Sequence, residues 1–175
     1  MSNATPHSLF CFGYGYCCEW LGAAQLEAGW RVAGTTRDPE KRLMMKERGI
    51  RAFLFDEDKP LEDAGLFLKG VTHLLISTPP GDTGDPTFLM HGEDILKCES
   101  LKWVGYLSST SVYGDRGGEW VSEESEPHPT SKRGTRRLRA EEQWLDLCYT
   151  HNLPVHIFRL AGIYGPGRSV LDAVR

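Results

Sequence analysis

The chain has 175 residues, 40% of them hydrophobic and 25% charged, values that suit one globular domain with a real core. A formal net charge of −4 and a pI near 5.9 give no reason to expect nucleic acid as a partner. No apolar run approaches the ~20 residues of a membrane span, and the N-terminus MSNATPHS lacks the basic and apolar regions of a signal peptide, so a soluble cytoplasmic protein with no membrane partner is expected. The five cysteines (11, 17, 18, 98 and 148) contain no C-x-x-C pair and suit a reducing compartment. The six histidines (7, 73, 91, 128, 151 and 156) form no ligand-spaced cluster, so no metal is expected.

In chain order, Leu9–Phe12 is a short apolar strand that runs into Gly13 and Gly15 and then a helical pattern with Leu21, Ala24 and Ala28 on one face. A strand, a glycine turn and a helix N-terminus together receive a pyrophosphate: glycines let it lie against the backbone, and the free N–H groups and helix dipole meet its charge. The fingerprint G-x-G-x-x-G/A here reads Gly13-Tyr14-Gly15-Tyr16-Cys17-Cys18, with Cys18 at the third small position. The bland alternative is the same turn without a ligand. Cys17 and Cys18 adjoin the helix N-terminus, where thiolates are favoured, although packing is the simpler role for both.

Trp30–Thr36 reads as a second strand, followed by a helix capped by Asp38, with Pro39 in its first turn and Gly49 past its end. Ile50–Phe55 is a third strand closed by an acidic turn, and a short helix is expected over Leu61–Leu68. Thr72–Ser77 is a continuous apolar strand, as strands buried on both faces of a parallel sheet are. Asp85 and Pro86 begin a helix running towards Glu99, and Trp103–Ser108 is the fifth strand. After an irregular polar loop over Asp115–Pro129 comes a helix over Thr130–His151 with Leu138, Trp144, Leu145 and Cys148 as its buried stripe, then a sixth strand over Pro154–Leu160.

Six strands alternating with helices predict an α/β fold, a Rossmann-type doubly wound parallel sheet of order 3-2-1-4-5-6. Ligands in that fold lie beyond the carboxyl ends of the strands, at the switch point between strands 1 and 4. This gathers Gly13–Cys18, Thr35–Asp38, Asp56, Ser77–Pro80 and Ser108–Tyr113 around one crevice. At the end of strand 2 a carboxylate would bind the ribose of NAD, whereas an arginine would meet the 2′-phosphate of NADP. If the strand ends at Thr36, Arg37 takes that place, with the threonine hydroxyls in support and Asp38 used as a cap. A slip of one residue would put Asp38 at the ribose, and a solvated surface role for Arg37 is the third choice. The reading favours NADP over NAD.

Two further motifs carry a resemblance. YLSSTSVYGD (Tyr106–Asp115) resembles the fifth-strand motif of the extended short-chain dehydrogenases/reductases, the NAD(P)-dependent epimerase/dehydratase group, and RLAGIYGPG (Arg159–Gly167) resembles their motif after strand 6. The resemblance implies that Ser109 polarises a substrate oxygen, that Asp56 contacts adenine, and that Ser77, Thr78 and Pro79 lie along the cofactor. It also implies a Tyr and a Lys four residues apart on the following helix, where a lysine charge lowers the tyrosine pKa for proton exchange. Aligning Arg137-Leu138-Arg139-Ala140-Glu141 with the family's K-L-x-x-E puts Arg137 at the Lys and Arg133 at the Tyr. None of the six tyrosines (14, 16, 106, 113, 149 and 164) is followed four residues later by Lys. Arg137 remains a donor for ribose hydroxyls, but the Arg133 guanidinium does not give up its proton near neutral pH. The pattern is similar to an atypical subgroup that keeps the cofactor fold and lacks the Tyr-Lys pair.

The expected cofactor contacts are therefore Gly13, Tyr14, Gly15, Tyr16, Cys17, Thr36, Arg37, Asp56, Ser77, Thr78, Pro79 and Arg137. Three functions compete. One is an NADP-dependent oxidoreductase or epimerase acting on a small molecule, with Ser109 holding the oxygen and Tyr113 or a water as proton donor. The second is a non-catalytic NADP-binding sensor or partner module in which Arg133 and Arg137 clamp an anion. In the third, the two arginines merely pair with Glu141 and Glu142. Extended family members continue into a substrate lobe, so residues 1–175 are expected to be the dinucleotide-binding domain, with the lobe beyond residue 165 missing or truncated. Apolar surface around Val170–Val174 would then favour a homo-oligomer.

Overall fold

Ser8–Phe12 (β1) lies in the middle of the sheet, and all five of its residues are buried. Phe10 and Phe12 enter one hydrophobic cluster, while Leu9 and Cys11 enter a second on the opposite face. A strand covered on both sides has no polar face, which is why β1 reads as an unbroken apolar run. The other elements follow as α1 (Tyr16–Glu27), β2 (Arg31–Thr36), α2 (Pro39–Glu47), β3 (Arg51–Leu54), α3 (Ala64–Leu68), β4 (His73–Ile76), α4 (Pro86–Leu96), β5 (Trp103–Ser109), α5 (Lys132–His151) and β6 (Val155–Leu160), with a 3₁₀ turn over Thr110–Tyr113. This computed structural model describes residues 7–169; the expectation about Val170–Val174 lies outside them.

The strands are all parallel and run β3-β2-β1-β4-β5-β6 across the sheet, the order expected from the sequence. Met45 of α2 and Cys18 of α1 pack with Leu9, Cys11 and Leu75 on one face. Leu68 of α3, Ile95 of α4 and Trp144 of α5 pack with Phe10, Phe12 and Tyr106 on the other. Both predicted aspartate caps form. The Asp38 carboxylate accepts from the N–H of Glu40 and Lys41, at 2.8 and 3.3 Å. That of Asp85 accepts from the N–H of Phe88 at 3.0 Å. No helix among the described residues is long and apolar enough to cross a membrane.

Three local expectations are corrected. The third helix begins at Ala64 rather than Leu61, because Asp63 before it adopts a left-handed φ of 55°. In α5 the buried residues are Gly134, Ala140, Glu141, Trp144 and Leu147; Leu138, Leu145 and Cys148 are only partly covered. In α1 the buried residues are Cys18 and Gly22, while Ala24 and Ala28 face solvent.

The α1 correction has a single cause, the Tyr14 side chain. Its ring turns inward, 4% exposed, and fills the space between α1 and β2. A Cβ on Gly22 would lie 1.9 Å from the Tyr14 hydroxyl, and one on Gly34 would lie 2.6 Å from its ring. The helix therefore approaches the sheet on its glycine side, with the tyrosine ring as filler. Of Tyr14, expected among the cofactor contacts, the backbone stays in the turn while the side chain is buried away from it. The hydroxyl has no hydrogen-bond partner among the described residues, and burial pushes its pKa upward.

An unpartnered buried hydroxyl costs stability, so Tyr14→Phe is expected to stabilise the fold by about 1 kcal/mol. Tyr14→Ala, which empties the same space, should destabilise it by roughly 3–5 kcal/mol. Urea denaturation of both variants checks this; a less stable Tyr14→Phe protein would mean that the hydroxyl has a partner.

Candidate functional site

The glycine turn is held from two sides. Gly13 N–H donates to the Thr35 hydroxyl oxygen at 2.9 Å, and Tyr14 N–H donates to the Thr35 carbonyl at 2.7 Å, which ties the turn to the end of β2. Gly13 has a φ of +80°, and a Cβ there would meet the Thr78 nitrogen at 3.0 Å, so only glycine lets the turn lie against the end of β4. Cys18 does the work of the third small residue: it is fully buried, and its thiol donates to the Gly13 carbonyl at 3.4 Å. Gly15 differs from both. It precedes α1 without any side-chain cap, and nothing lies within 4 Å of where its Cβ would be. The start of α1 thus lacks a side-chain cap and has open space beside Gly15, the form a phosphate cradle takes. Burial raises the Cys17 thiol pKa above its ordinary value.

β2 ends at Thr36, and Arg37 follows it on the surface, with no hydrogen-bond or ion-pair partner among the described residues. The Asp38 carboxylate is occupied as the cap of α2. The threonines do not support Arg37 as expected, because both are buried and structural: Thr35 holds the glycine turn, and the Thr36 hydroxyl oxygen accepts from Asp38 N–H at 3.2 Å. Beyond β3, the Asp56 carboxylate accepts from Asp58 N–H at 2.9 Å inside its own turn.

After β4, the Ser77 side of the loop faces the crevice while Thr78 turns inward. The Thr78 hydroxyl lies 3.3 Å from an Asp85 carboxylate oxygen and 2.9 Å from the Thr87 hydroxyl. Pro79 is exposed. Burial pushes the Asp85 carboxyl up to about 6, against the hydrogen bonds that favour its charged form. The Gln143 side chain accepts from Asp85 N–H at 3.0 Å. Arg136 and Lys132 pair with Asp82 and hold its carboxyl below the usual range. Between them, these contacts fasten the loop to α5.

The crevice deepens into a cavity of about 250 Å³ at the far side of the glycine turn. Gly15, Tyr16, Cys17, Ser77, Ser109 and Arg137 line it, six of the residues expected at the site. Gly134 sets α5 in place: a Cβ on it would come within 2.5 Å of the Ser111 carbonyl, and its N–H donates to the Ser131 cap at 3.1 Å. That close approach brings Arg133 and Arg137, one helical turn apart, to the cavity wall. Arg137 donates to the Leu107 carbonyl at 2.6 Å and to the Tyr106 hydroxyl at 3.2 Å, so it is pinned to the end of β5. On the opposite wall the Tyr16 hydroxyl donates to the Pro166 carbonyl at 3.2 Å, and Arg168 lies 5.4 Å over its ring.

Below the cavity is a buried charge network that sequence reasoning missed. Glu141 is 1% exposed and accepts from Arg159 Nη2 at 2.8 Å, Arg159 Nε at 3.1 Å and the Ser108 hydroxyl. Arg159 Nη1 also donates to the Tyr113 hydroxyl at 2.9 Å, and the guanidinium lies 4.8 Å over that ring. Two expectations fall here. Tyr113 is buried with its hydroxyl on Arg159 and does not line the cavity, which removes it as the proton donor. Glu141 is the partner of Arg159, not of Arg133 or Arg137, so the reading of those two as surface ion pairs with the acids of α5 fails. The signal was present in the sequence: a carboxylate on the buried stripe of a helix, and an arginine inside the apolar strand PVHIFRL. Ser109 stays at the cavity wall, where its hydroxyl oxygen accepts from Ser111 N–H at 3.2 Å. Among the described residues, no three His, Cys, Asp or Glu side chains converge as a metal site would need.

The same architecture recurs in known proteins. A conserved protein of unknown function from Silicibacter pomeroyi superposes with a TM-score of 0.83 and 42% identity, over 97% of this chain and 57% of that one. UDP-glucuronic acid 4-epimerase from Bacillus cereus, solved in complex with NAD, superposes with a TM-score of 0.69 and 18% identity, over 90% of this chain and 57% of that one. The chain shares the Rossmann-type α/β fold of these structures. In sequence it is 35% identical over 166 residues to protein YeeZ of Escherichia coli K12, covering 85% of this chain and 57% of YeeZ. It thus spans little more than half the length of the relatives it matches. No protein-family profile matches it.

Removing one partner of the buried pair strands the other charge. Arg159→Leu is expected to destabilise the protein by roughly 3–5 kcal/mol, and Glu141→Leu combined with Arg159→Leu should recover most of that loss in urea denaturation. An additive double variant would mean that the two groups are not coupled.

Asp85 yields a pH signature. Its folded pKa of about 6 lies above the ordinary 3.8, so between those values the folded state binds more protons than the unfolded one. Its contribution to stability therefore falls as pH rises from about 4 to about 6, by up to roughly 3 kcal/mol. Asp85→Asn, which keeps an acceptor for the cap, should match the wild type near pH 4 and exceed it above pH 6. Parallel stability curves for the two proteins would show that Asp85 titrates normally.

Proposed function

We propose that this chain binds a nicotinamide dinucleotide along the carboxyl ends of β1, β2 and β4, and that it takes NADP in preference to NAD. The uncapped, open Gly15 turn supports a place for the pyrophosphate. The observation that carries the cofactor preference is Arg37. It stands exposed directly after β2 with no partner among the described residues, while the carboxylate that adjoins it in sequence, Asp38, is occupied in capping α2. An arginine there offers a fork of donors to a 2′-phosphate. That the Bacillus cereus epimerase was solved with NAD supports a nicotinamide cofactor at this fold position.

The residues at the cavity favour binding over acid–base chemistry. Arg133 and Arg137 offer hydrogen-bond donors and no acceptor, and the Tyr113 hydroxyl is engaged by Arg159 below the floor. Ser109 alone of the expected catalytic pair reaches the cavity, as a hydrogen-bond donor to a ligand oxygen. The reading is therefore an NADP-binding protein of epimerase-like fold. Oxidoreductase or epimerase activity is the second reading, favoured by Ser109; its proton would come from water or from the substrate itself.

Titration of the chain with NADPH and with NADH tests this. NADPH should bind about tenfold or more tightly than NADH, the worth of one good charge-assisted contact. Arg37→Ala should remove that difference and leave NADH affinity within about twofold. Equal wild-type affinities, or a preference that survives the substitution, would refute the assignment to Arg37.

A further inference from the structure

The cavity between the glycine turn and α5 has a one-sided charge. Arg133, Arg137 and Arg168 line it, and no carboxylate does. This stands out in a chain whose formal net charge is −4. Other arginines nearby are matched: Arg136 pairs with Asp82, Arg139 donates to the Asp82 carbonyl, and Arg159 pairs with Glu141. Arg133 has no hydrogen-bond or ion-pair partner among the described residues. Arg137 uses Nη1 alone, on the Leu107 carbonyl and the Tyr106 hydroxyl, which leaves Nε and Nη2 for a ligand. Arg168 is placed by the backbone bridge between Gly165 and Arg168 and by the Tyr16 ring beneath it. The acids behind the wall do not neutralise this set. Glu141 is matched by Arg159, and the buried Asp85 acts on Arg137 without a hydrogen bond to it.

Three arginines from two separate segments line this cavity, Arg137 partly buried and Arg133 and Arg168 exposed at its mouth, so an anion entering it is attracted by all three. Their planar forks match the oxygens of a carboxylate or a phosphate, and in a recess such pairs are stronger than on open surface. The volume of about 250 Å³ suits a small acid or one anionic end of a larger molecule. We infer that this cavity is an oxyanion site, receiving the carboxylate or phosphate of a second ligand beside the dinucleotide, between Arg133 and Arg137 of α5 and Arg168 of the loop after β6. The oxyanion site stands on the cavity alone. That its ligand is the dinucleotide's companion rests on the reading given under the proposed function. The arginines bind and orient this ligand and take no part in proton transfer.

Calorimetric titration of the chain with sodium phosphate and, separately, sodium malonate at low ionic strength tests the inference, first without nucleotide and then with saturating NADPH. At least one probe should bind in both arms and weaken with added salt. The tighter of the two tells phosphate from carboxylate. Arg133→Gln and Arg168→Gln should each weaken the probe about tenfold or more, while NADPH affinity and thermal melting stay unchanged. Arg139→Gln, outside the cavity, should leave the probe affinity unchanged. Three results would overturn the inference: neither probe binds, the two cavity variants bind as wild type does, or NADPH displaces the probe competitively. The last would assign the arginines to the dinucleotide's own phosphates. Should NADPH fail to bind while anion binding still depends on Arg133, the dinucleotide reading falls and the oxyanion site stands.

Discussion

The crevice side of this molecule depends on one buried carboxylate. Glu141 lies inside the fold, where an isolated charge would be prohibitive, and it persists there because the Arg159 fork and the Ser108 hydroxyl surround it. Those partners come from the ends of β5 and β6, and Glu141 comes from α5. That ionic contact adds a buried fixed point among the three elements, beside the backbone pairing of β5 with β6 and the hydrogen bonds of Arg137 to the end of β5. Arg159 extends the constraint to Tyr113 and so to the 3₁₀ turn that carries Ser109 past the strand end. The cavity wall is rigid because the network beneath it cannot be rearranged without exposing or stranding a charge.

On the other side of the crevice, the constraint is steric rather than ionic. Gly13 packs against the backbone of β4 with no room for a side chain, and Thr35 binds the same turn to β2 through both its hydroxyl and its carbonyl. The sheet order supplies the rest. Because β3 leads across to β4 on the far side of β1, the loops after β1 and β4 diverge to opposite faces and leave a gap at the switch point. The open Gly15 turn faces into that gap. Arg37 follows β2 on one side of that gap, and the three arginines that line the cavity lie on the other side of the uncapped start of α1.

The loop after β4 shows how polar burial can position a surface segment. Asp85 caps α4 from inside the protein and holds Thr78, while Gln143 and the basic residues of α5 grip the same loop from the neighbouring helix. A stretch rich in proline, glycine and aspartate would otherwise be free to move. Fastened at several points, it brings Ser77 to the cavity and keeps Thr78 out of it.

The sequence alone determined the strand–helix alternation, the parallel order, both aspartate caps and the glycine turn, because each depends on signals local to a few residues. Apolar runs, cap-proline pairs and glycines before a helix act over one or two turns of chain. The motifs after β5 and along α5 singled out Ser109 and Arg137, which the fold brings to the wall of one cavity. Only the tertiary structure decided which way Tyr14 points, which face of α1 is buried, and where the Tyr113 hydroxyl goes. Each of these depends on a partner distant in sequence: Gly34 opposite Tyr14, Arg159 opposite Tyr113 and Glu141. A glycine on a helix reads as an absence in any hydrophobic pattern, yet Gly22 and Gly134 make the closest approaches among the helix glycines described. Charges that pair across 18 residues read as two solvated groups until the strand and the helix are brought side by side.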